Sequence, residues 1–391
     1  MIRLLKYFLY TLFIPFWWIQ RLIPRNENIW VFGAWYGKKY NENTKALFEY
    51  ILSDDTEIRP IWITKNKIVL NQLLGDEKPV YYYKSLKGIY YSLIAGKIIY
   101  SSGKVDVNQF VINGAILINT WHGSPMKKIG LDDKFATISR FKTFLFKYFF
   151  PFVWEFNCDY VVSSAKFFDE NLSSAFDISN EKILLSGYPR CDVLFKPSLH
   201  DFTRKINAKF GNPLKILYLP TFRSLNEAFR PFDSFGFDED IWSKFLERKN
   251  AVLISKGHFV DKVVSTKSSH DRIIHVSDTD VSELYELLKD IDILVTDYSG
   301  VYFDFLLTGK PVILAPFDFD SYLAHSRELY RGYEETSSGV IVYDWQELYQ
   351  LLDDGVDSIK RIEIYNNKRN SFNDFVDADN SKRLMNLITE L

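Results

Sequence analysis

Two of the six histidines stand where an apolar run stops and the chain turns. His122 closes Ala115-Ile-Leu-Ile-Asn-Thr-Trp121 and is followed by Gly123-Ser-Pro125. A run of this kind reads as a buried strand, and the glycine and proline after it read as a turn, so His122 belongs at the carboxyl edge of a sheet. An imidazole there titrates near neutrality and can take a proton from a hydroxyl. A hydrogen-bonded turn histidine is the plain alternative. His258 stands in the equivalent place after Val252-Leu-Ile-Ser-Lys-Gly257, with Lys256 adding a cation for an anionic ligand. His200, His270 and His275 lie in polar or strand-interior settings without a convergent partner and read as structural, while the role of His325 stays open.

Between these histidines, Ile216-Leu-Tyr-Leu-Pro-Thr-Phe-Arg223 ends a strand on Thr221 and Arg223. A hydroxyl and a planar fork of permanently charged donors suit a phosphate. Further on, Ile293-Leu-Val-Thr-Asp-Tyr-Ser-Gly-Val-Tyr-Phe-Asp-Phe305 reads as strand, tight turn and helix, with Ser299 at the N-cap and the amides after it offered to an anion. Helix capping alone is the plain reading of Ser299. Asp318-Phe-Asp320 is only superficially a metal-binding pair; surface solvation or helix capping suits it better. No P-loop, no GxGxxG after the first strand and no nucleophile elbow is present. Cys158 and Cys191 have neither disulfide-framework nor zinc spacing, which points to a reducing compartment.

The elements that must carry these residues alternate in type. At 391 residues, 47% hydrophobic and 25% charged, the chain is globular and long enough for two or three domains. With 48 basic against 50 acidic residues and a net charge of −2, nothing in the overall balance points to nucleic acid. Strands are expected at 29–32, 59–63, 80–83, 98–101, 116–120, 160–163 and 183–186. Helices are expected at 44–52 and 166–175. The polar stretch 196–212 runs into Gly211-Asn212-Pro213, a breaker cluster that suggests a domain boundary. The pattern then restarts, with strands at 215–219, 252–255, 273–276, 293–296, 312–315 and 340–342 and helices near 240–248, 281–288 and 301–307. Alternation of this kind gives α/β units with parallel sheets, here two halves joined once. Ligands on such sheets bind beyond the carboxyl ends of the strands, so two facing halves would hold a substrate in a cleft.

Two segments carry a different chemistry. Residues 1–25 hold Arg3, Lys6, Arg21 and Arg25 and no acid, and the charge-free stretch from Tyr7 to Gln20 is interrupted by Pro15. That stretch is too short to span a bilayer and lacks a signal-peptidase site, so it reads as an interfacial anchor with Trp17 and Trp18 at headgroup depth. Residues 140–154 repeat the pattern, with Arg140, Lys142 and Lys147 among aromatics. Packing of both segments as ordinary domain helices is the alternative. The resulting division is an anchor at 1–25, a first α/β domain at 26–200 with its membrane-contact segment at 138–156, a second at 213–357, and terminal helices at 358–391.

Taken together, Thr120-Trp-His-Gly-Ser-Pro-Met-Lys-Lys-Ile-Gly130, Gly187-Tyr-Pro-Arg-Cys-Asp192, Tyr218-Leu-Pro-Thr-Phe-Arg223, Lys256-Gly-His258, Thr296-Asp-Tyr-Ser-Gly-Val-Tyr-Phe-Asp304, Lys310-Pro311 and Arg331-Gly332 resemble the CDP-glycerol glycerophosphotransferase family of teichoic acid and poly(alditol phosphate) synthesis. The resemblance implies two facing Rossmann-like domains of the glycosyltransferase-B kind. It implies a CDP-glycerol or related CDP-alditol donor in the second domain and a lipid-linked saccharide or polymer acceptor. It also implies peripheral attachment to an anionic membrane surface on the cytoplasmic face. By the same resemblance His122 matches the catalytic base and His258 the histidine near the donor pyrophosphate. Thr221, Arg223 and Ser299 match phosphate-contact positions; Lys256 and Gly300 are expected beside them on the donor-phosphate side, with Asp297 and Arg331 as candidate supporting residues. No cofactor and no metal are expected. Three departures stand out: Phe259 in place of a usual proline, Gly300 where a second serine is common, and Tyr-Glu-Glu after Gly332. Rival readings are a sugar transferase using a nucleotide sugar on the same fold and a noncatalytic membrane scaffold in polymer assembly.

Overall fold

The computed structural model describes residues 2–134, 140–154, 156–197, 199–221, 223, 229–257, 270–277, 280–281, 283–325, 327–337, 340–355 and 362–391. It falls into two compact units. Unit 1 comprises residues 1–122, 129–190 and 379–391, and unit 2 comprises 123–128 and 191–378. The chain therefore passes between the units more than once, because the short strap 123–128 and the terminal residues 379–391 each belong to the unit opposite to that of their sequence neighbours.

Unit 1 is built on seven strands: β1 (Asn26–Gly33), β2 (Arg59–Thr64), β3 (Val80–Tyr82), β4 (Ala95–Tyr100), β5 (Ile116–Asn119), β6 (Tyr160–Ser163) and β7 (Ile183–Leu185). They lie in the order β3-β2-β1-β4-β5-β6-β7, and every pair is parallel. Val31 of β1 is paired with Ile61 on one side and Ile98 on the other. Helices cover both faces of such a sheet, so its central strands are apolar without alternation; all of β4 and the last five residues of β1 are buried. Asn66 and Ser85 cap two of the crossover helices by accepting the amides of Ile68 and Gly88. The Asn380–Thr389 helix also packs here. Asn380 Oδ1 lies 1.9 Å from where a Cβ on Gly187 would sit, and Arg383 Nε donates to the Ser186 carbonyl at 3.1 Å.

Unit 2 carries β8 (Leu214–Leu219), β9 (Ala251–Lys256), β10 (Ile273–Val276), β11 (Ile293–Thr296) and β12 (Val312–Leu314), all parallel in the order β10-β9-β8-β11-β12. This order repeats that of the first five strands of unit 1. In each sheet the order reverses between the first and fourth strands, β1 and β4 or β8 and β11, and the carboxyl ends at that reversal are where α/β sheets hold ligands. Tyr218, Trp242, Phe245, Phe317 and Trp345 form the aromatic centre of the unit 2 core.

The expected strand at 340–342 is not a strand: a single parallel bridge joins Ile341 to Leu314, carried by Leu314 N to Val340 O and Val342 N to Leu314 O. The polar stretch 196–212 contains a helix, Asp201–Phe210, that starts on His200, whose Nδ1 accepts from Phe202 N, and stops at Gly211 with φ +70°. The breaker cluster thus ends a helix.

The amino-terminal helix, Ile2–Ile19, runs through Pro15. Among the described residues no helix is long and apolar enough to cross a membrane. Trp17 is not at headgroup depth as expected. It is buried against Phe152, and its carbonyl accepts from Asn113 Nδ2 at 2.7 Å. Arg25 likewise turns inward, donating to the carbonyls of Ser92, Gln20 and Asn113, and burial lowers its pKa. Tyr7, Tyr10 and Phe13 meet Phe146, Phe150 and Phe152 of the second aromatic segment, with ring centroids 5.2–6.4 Å apart. Inner faces therefore pack, as the domain-helix alternative holds, whereas Phe8, Leu9, Leu12, Phe16, Trp18, Phe144, Tyr148 and Phe149 remain exposed. Lys147 pairs with Asp177.

Candidate functional site

In unit 1, His122 follows β5 through a backbone bend: Trp121 has φ +52°, a left-handed conformation costly for a bulky residue. The bend is held from several directions. Asn43, buried at the start of the Glu42–Ser53 helix, donates to the carbonyls of Thr120 (3.2 Å) and Trp121 (3.1 Å). Arg190 donates to the His122 carbonyl at 2.8 Å, and its guanidinium is ion-paired with Glu42. Asn43 Oδ1 in turn accepts Arg190 N at 3.3 Å. The imidazole lies between Trp121 (3.9 Å between centroids) and Trp35 (5.7 Å), with Nδ1 3.5 Å from the Ser101 carbonyl beyond β4. Beside it, the buried Asp106 accepts the amides of Tyr36, Ser101 and Ser102; burial raises its pKa despite those bonds. These contacts fix the backbone around the imidazole and leave the ring partly exposed.

In unit 2, the carboxyl ends of β8 and β11 meet in an ionic cluster. Arg223 is 3% exposed. Its Nε and Nη2 grip both oxygens of Asp318 at 2.7 Å, Nη2 also reaches Asp297 at 2.8 Å, and Nη1 donates to the Thr221 carbonyl at 2.6 Å. Rings of Phe229, Tyr298 and Tyr322 flank it at 4.3–5.1 Å. Burial alone would lower the guanidinium pKa, but the two carboxylates outweigh it and hold the pKa above its ordinary value. Asp297 further accepts the amides of Thr221 (2.8 Å) and Tyr298 (2.6 Å). Arg223 is therefore a clamp across the ends of β8 and β11 and the loop after β12, and not the open phosphate fork expected from sequence, because its donors are already taken by carboxylates. Asp318, expected at a solvated surface, is the other jaw.

The turn after β11 also differs from expectation. Val301 N donates to Ser299 Oγ at 3.4 Å, while Tyr302 N and Phe303 N bond the carbonyls of Ser299 and Gly300. Three amides expected to face an anion are thus engaged within the turn. Gly300 has a packing reason: a Cβ there would lie 2.7 Å from the Ser124 carbonyl of the strap. The strap itself pairs antiparallel with 328–330, through a bridge from Lys127 to Leu329 and bonds from Lys128 N to Glu328 O and Tyr330 N to Met126 O. Tyr333, in the divergent Tyr-Glu-Glu segment, donates its hydroxyl to the Asp297 carbonyl at 3.1 Å.

Next to the clamp is a cavity of about 660 Å³ lined by Phe229, Phe235, Phe317, Phe319 and Tyr343, with Arg230, Ser234, Asp320 and Ser321 supplying polar groups. Lys256 ends β9 and is buried. Arg331 pairs with Glu335 at 3.5 Å. His258 and Phe259 lie outside the described residues. His200 caps a helix, His270 pairs with exposed Asp240, and His275 packs on Phe232 with its pKa lowered by burial, in keeping with structural roles. Among the described residues no group of His, Cys, Asp and Glu could hold a metal ion. Site residues missed from sequence are Glu42, Asn43, Arg190, Lys127, Asp318 and Tyr333. Arg190 and Lys127 lie within the family-like segments, and Asp318 and Tyr333 lie in segments whose sequence suggested a different role; Glu42 and Asn43 act through contacts distant in the chain.

Residues 16–390 match the family model of CDP-glycerol:poly(glycerophosphate) glycerophosphotransferases. A teichoic acid glycerol-phosphate transferase of Staphylococcus aureus is 30% identical over 373 residues, 92% of this chain and 89% of that protein. The structure resembles that of the wall teichoic acid polymerase TagF, also studied after soaking with CDPG, with a TM-score of 0.71 at 23% identity over 94% of this chain and 89% of the chain in that structure. It shares its fold more distantly with Staphylococcus aureus MnaA bound to UDP, at TM-score 0.59 and 16% identity over 93% and 96% of the two chains. The two parallel sheets and these likenesses identify a glycosyltransferase-B-like fold.

Proposed function

The chain belongs to the CDP-glycerol:poly(glycerophosphate) glycerophosphotransferase family of transferases, and from that premise we propose that it moves glycerol phosphate from CDP-glycerol to a hydroxyl of a lipid-linked saccharide or polymer, releasing CMP. His122 takes the proton of the acceptor hydroxyl as its oxygen forms a bond to the phosphorus bearing the glycerol. The bond from that phosphorus to the oxygen of the CMP phosphate breaks in line, and the electron pair leaves with CMP. Thr221, Lys256, Ser299, Gly300 and His258 are assigned to the donor phosphates, with Asp297 and Arg223 holding the β8 and β11 ends that present them and Arg331 in a supporting place. The aromatic cavity beside Asp318 has the size and mixed lining of a small-molecule site and is assigned to the nucleoside. The observation that carries the reading is the support given to His122: a helix start and an ion pair between buried Arg190 and half-buried Glu42 fix the turn on which one imidazole stands at a strand end.

The exposed aromatic and aliphatic side chains of Ile2–Ile19 and Arg140–Tyr148, joined through their buried rings, are assigned to an anionic membrane surface on the cytoplasmic side, where a lipid-linked acceptor is held. CMP release from CDP-glycerol, compared with nucleoside diphosphate release from UDP-sugars, tests the whole reading. Turnover of CDP-glycerol with acceptor-dependent kinetics is expected. Turnover of a nucleotide sugar alone would make the protein a sugar transferase, and turnover of neither would make it a scaffold.

A further inference from the structure

We propose that Lys127 is the cation that meets the diphosphate of the nucleotide-linked donor, an inference that rests on the donor reading above and adds to it a residue that reading does not use. The strap around Lys127 is extended and paired with 328–330. Successive side chains of an extended segment point to opposite faces. Lys128 takes one face and pairs with Glu328 at 2.8 Å. Lys127 takes the other and lies in the field of Asp297, Arg223 and Arg327.

Among the described residues no carboxylate forms an ion pair with Lys127 and no acceptor bonds its ammonium. Asp297, the carboxylate acting on it, already accepts from Thr221 N, Tyr298 N and Arg223. Lys127 is partly exposed, yet the protein around its ammonium costs it hydration: desolvation first, then repulsion from Arg327 and Arg223, push its pKa down to about 8 against the attraction of Asp297. The charges gathered here are Lys127, Arg223 and Arg327 against Asp297 and Asp318, an excess of one positive charge. A second group at the place is also without a partner: Thr221 Oγ1 is buried and unbonded among the described residues, two residues before the clamping arginine. A cation and a hydroxyl together at the switch point between β8 and β11, with the nearby guanidinium consumed by carboxylates, call for an anion with several acceptor oxygens. The donor's diphosphate supplies them, and a compact ammonium meets it as a point charge.

The test is calorimetric titration of the full chain with CDP-glycerol, CMP and cytidine, in the wild type and in Lys127→Met, Lys127→Arg and Lys128→Met. Loss of a charge-assisted phosphate contact should weaken CDP-glycerol about 10-fold to 100-fold in Lys127→Met, with partial recovery in Lys127→Arg. Cytidine, which has no phosphate, should bind alike in both, and Lys128→Met should bind CDP-glycerol as the wild type does. Wild-type affinity for CDP-glycerol should also fall as pH rises through about 8, where Lys127 loses its proton, and that fall should be absent from Lys127→Met. The pH series on the wild type decides the matter if Lys127→Met does not fold. Equal CDP-glycerol affinity in wild type and Lys127→Met, or affinity flat from pH 7 to about pH 9.5, overturns the assignment while leaving the donor reading intact. Failure of the wild type to bind CDP-glycerol at all overturns the donor reading itself.

Discussion

The strand ends that carry His122 and Arg223 solve the same problem by opposite means. Around His122 the supports are directed at backbone carbonyls: Asn43 holds Thr120 and Trp121, and Arg190 holds His122 itself. The imidazole is left as the variable part. Around Arg223 the side chains hold one another, in a buried lattice of one guanidinium and two carboxylates. The carbonyl contacts around His122 rest on a single ion pair, Arg190 with Glu42, whereas the three charged groups around Arg223 form a lattice that is stable only when complete. Substitutions in the first region should therefore alter rate, and substitutions in the second should alter stability first.

The largest expected effect is on rate. His122→Ala should lower transfer by about 10²–10⁴, the usual worth of a general base, with CDP-glycerol affinity and thermal midpoint close to the parent. Single-turnover CMP release checks this, and a rate within a few-fold of the parent would remove His122 from the reaction. Next, Arg223→Ala strands the buried Asp297 and the partly buried Asp318 and should cost about 3–5 kcal/mol in urea unfolding, an effect His122→Ala should not share. Comparable unfolding curves for the two variants would erase the contrast between the regions.

Arg190→Ala sharpens the contrast from the other side. Loss of the bond to the His122 carbonyl should lower kcat about tenfold while the KM for CDP-glycerol stays put, because Arg190 acts through the placement of another residue. A change confined to KM would show that it serves the donor instead. Smaller still is Gly300→Ala, whose Cβ would stand 2.7 Å from the Ser124 carbonyl and must displace the strap. A loss of about 1–3 kcal/mol of stability, read by thermal unfolding, is expected from such overpacking. Least is any single change on the exposed apolar surface. Leu12→Glu or Phe144→Glu should each only reduce sedimentation with anionic vesicles, the pair together reducing it further, and activity on a soluble short-chain acceptor should persist. Unchanged sedimentation of the pair would assign that surface to something other than lipid.

Much of this molecule was written in local sequence. The seven strands of unit 1 appear within a few residues of where β-branched runs placed them, since a strand buried on both faces has to be apolar throughout. The positions of His122 and Arg223 at strand ends were legible for the same reason, through Gly123 and Pro125 after the first run and Pro220 at the end of the second. The segment at 340–342 shows the limit: it is as apolar as its neighbours, yet it makes only one bridge to β12.

What the sequence by itself determined is which residues sit at the carboxyl edges, because strand periodicity and turn chemistry are local properties. What only the tertiary structure decided is what those residues touch. Arg223 looked like an anion site until Asp297 and Asp318, 74 and 95 residues away, were brought against it. Trp17 looked like a membrane residue until Phe152 covered it, and Lys127 and Lys128 looked alike until one met Glu328 and the other met none. Charge and hydrophobicity belong to a side chain, but whether they are spent within the fold or left for a ligand depends on partners that the chain supplies from a distance.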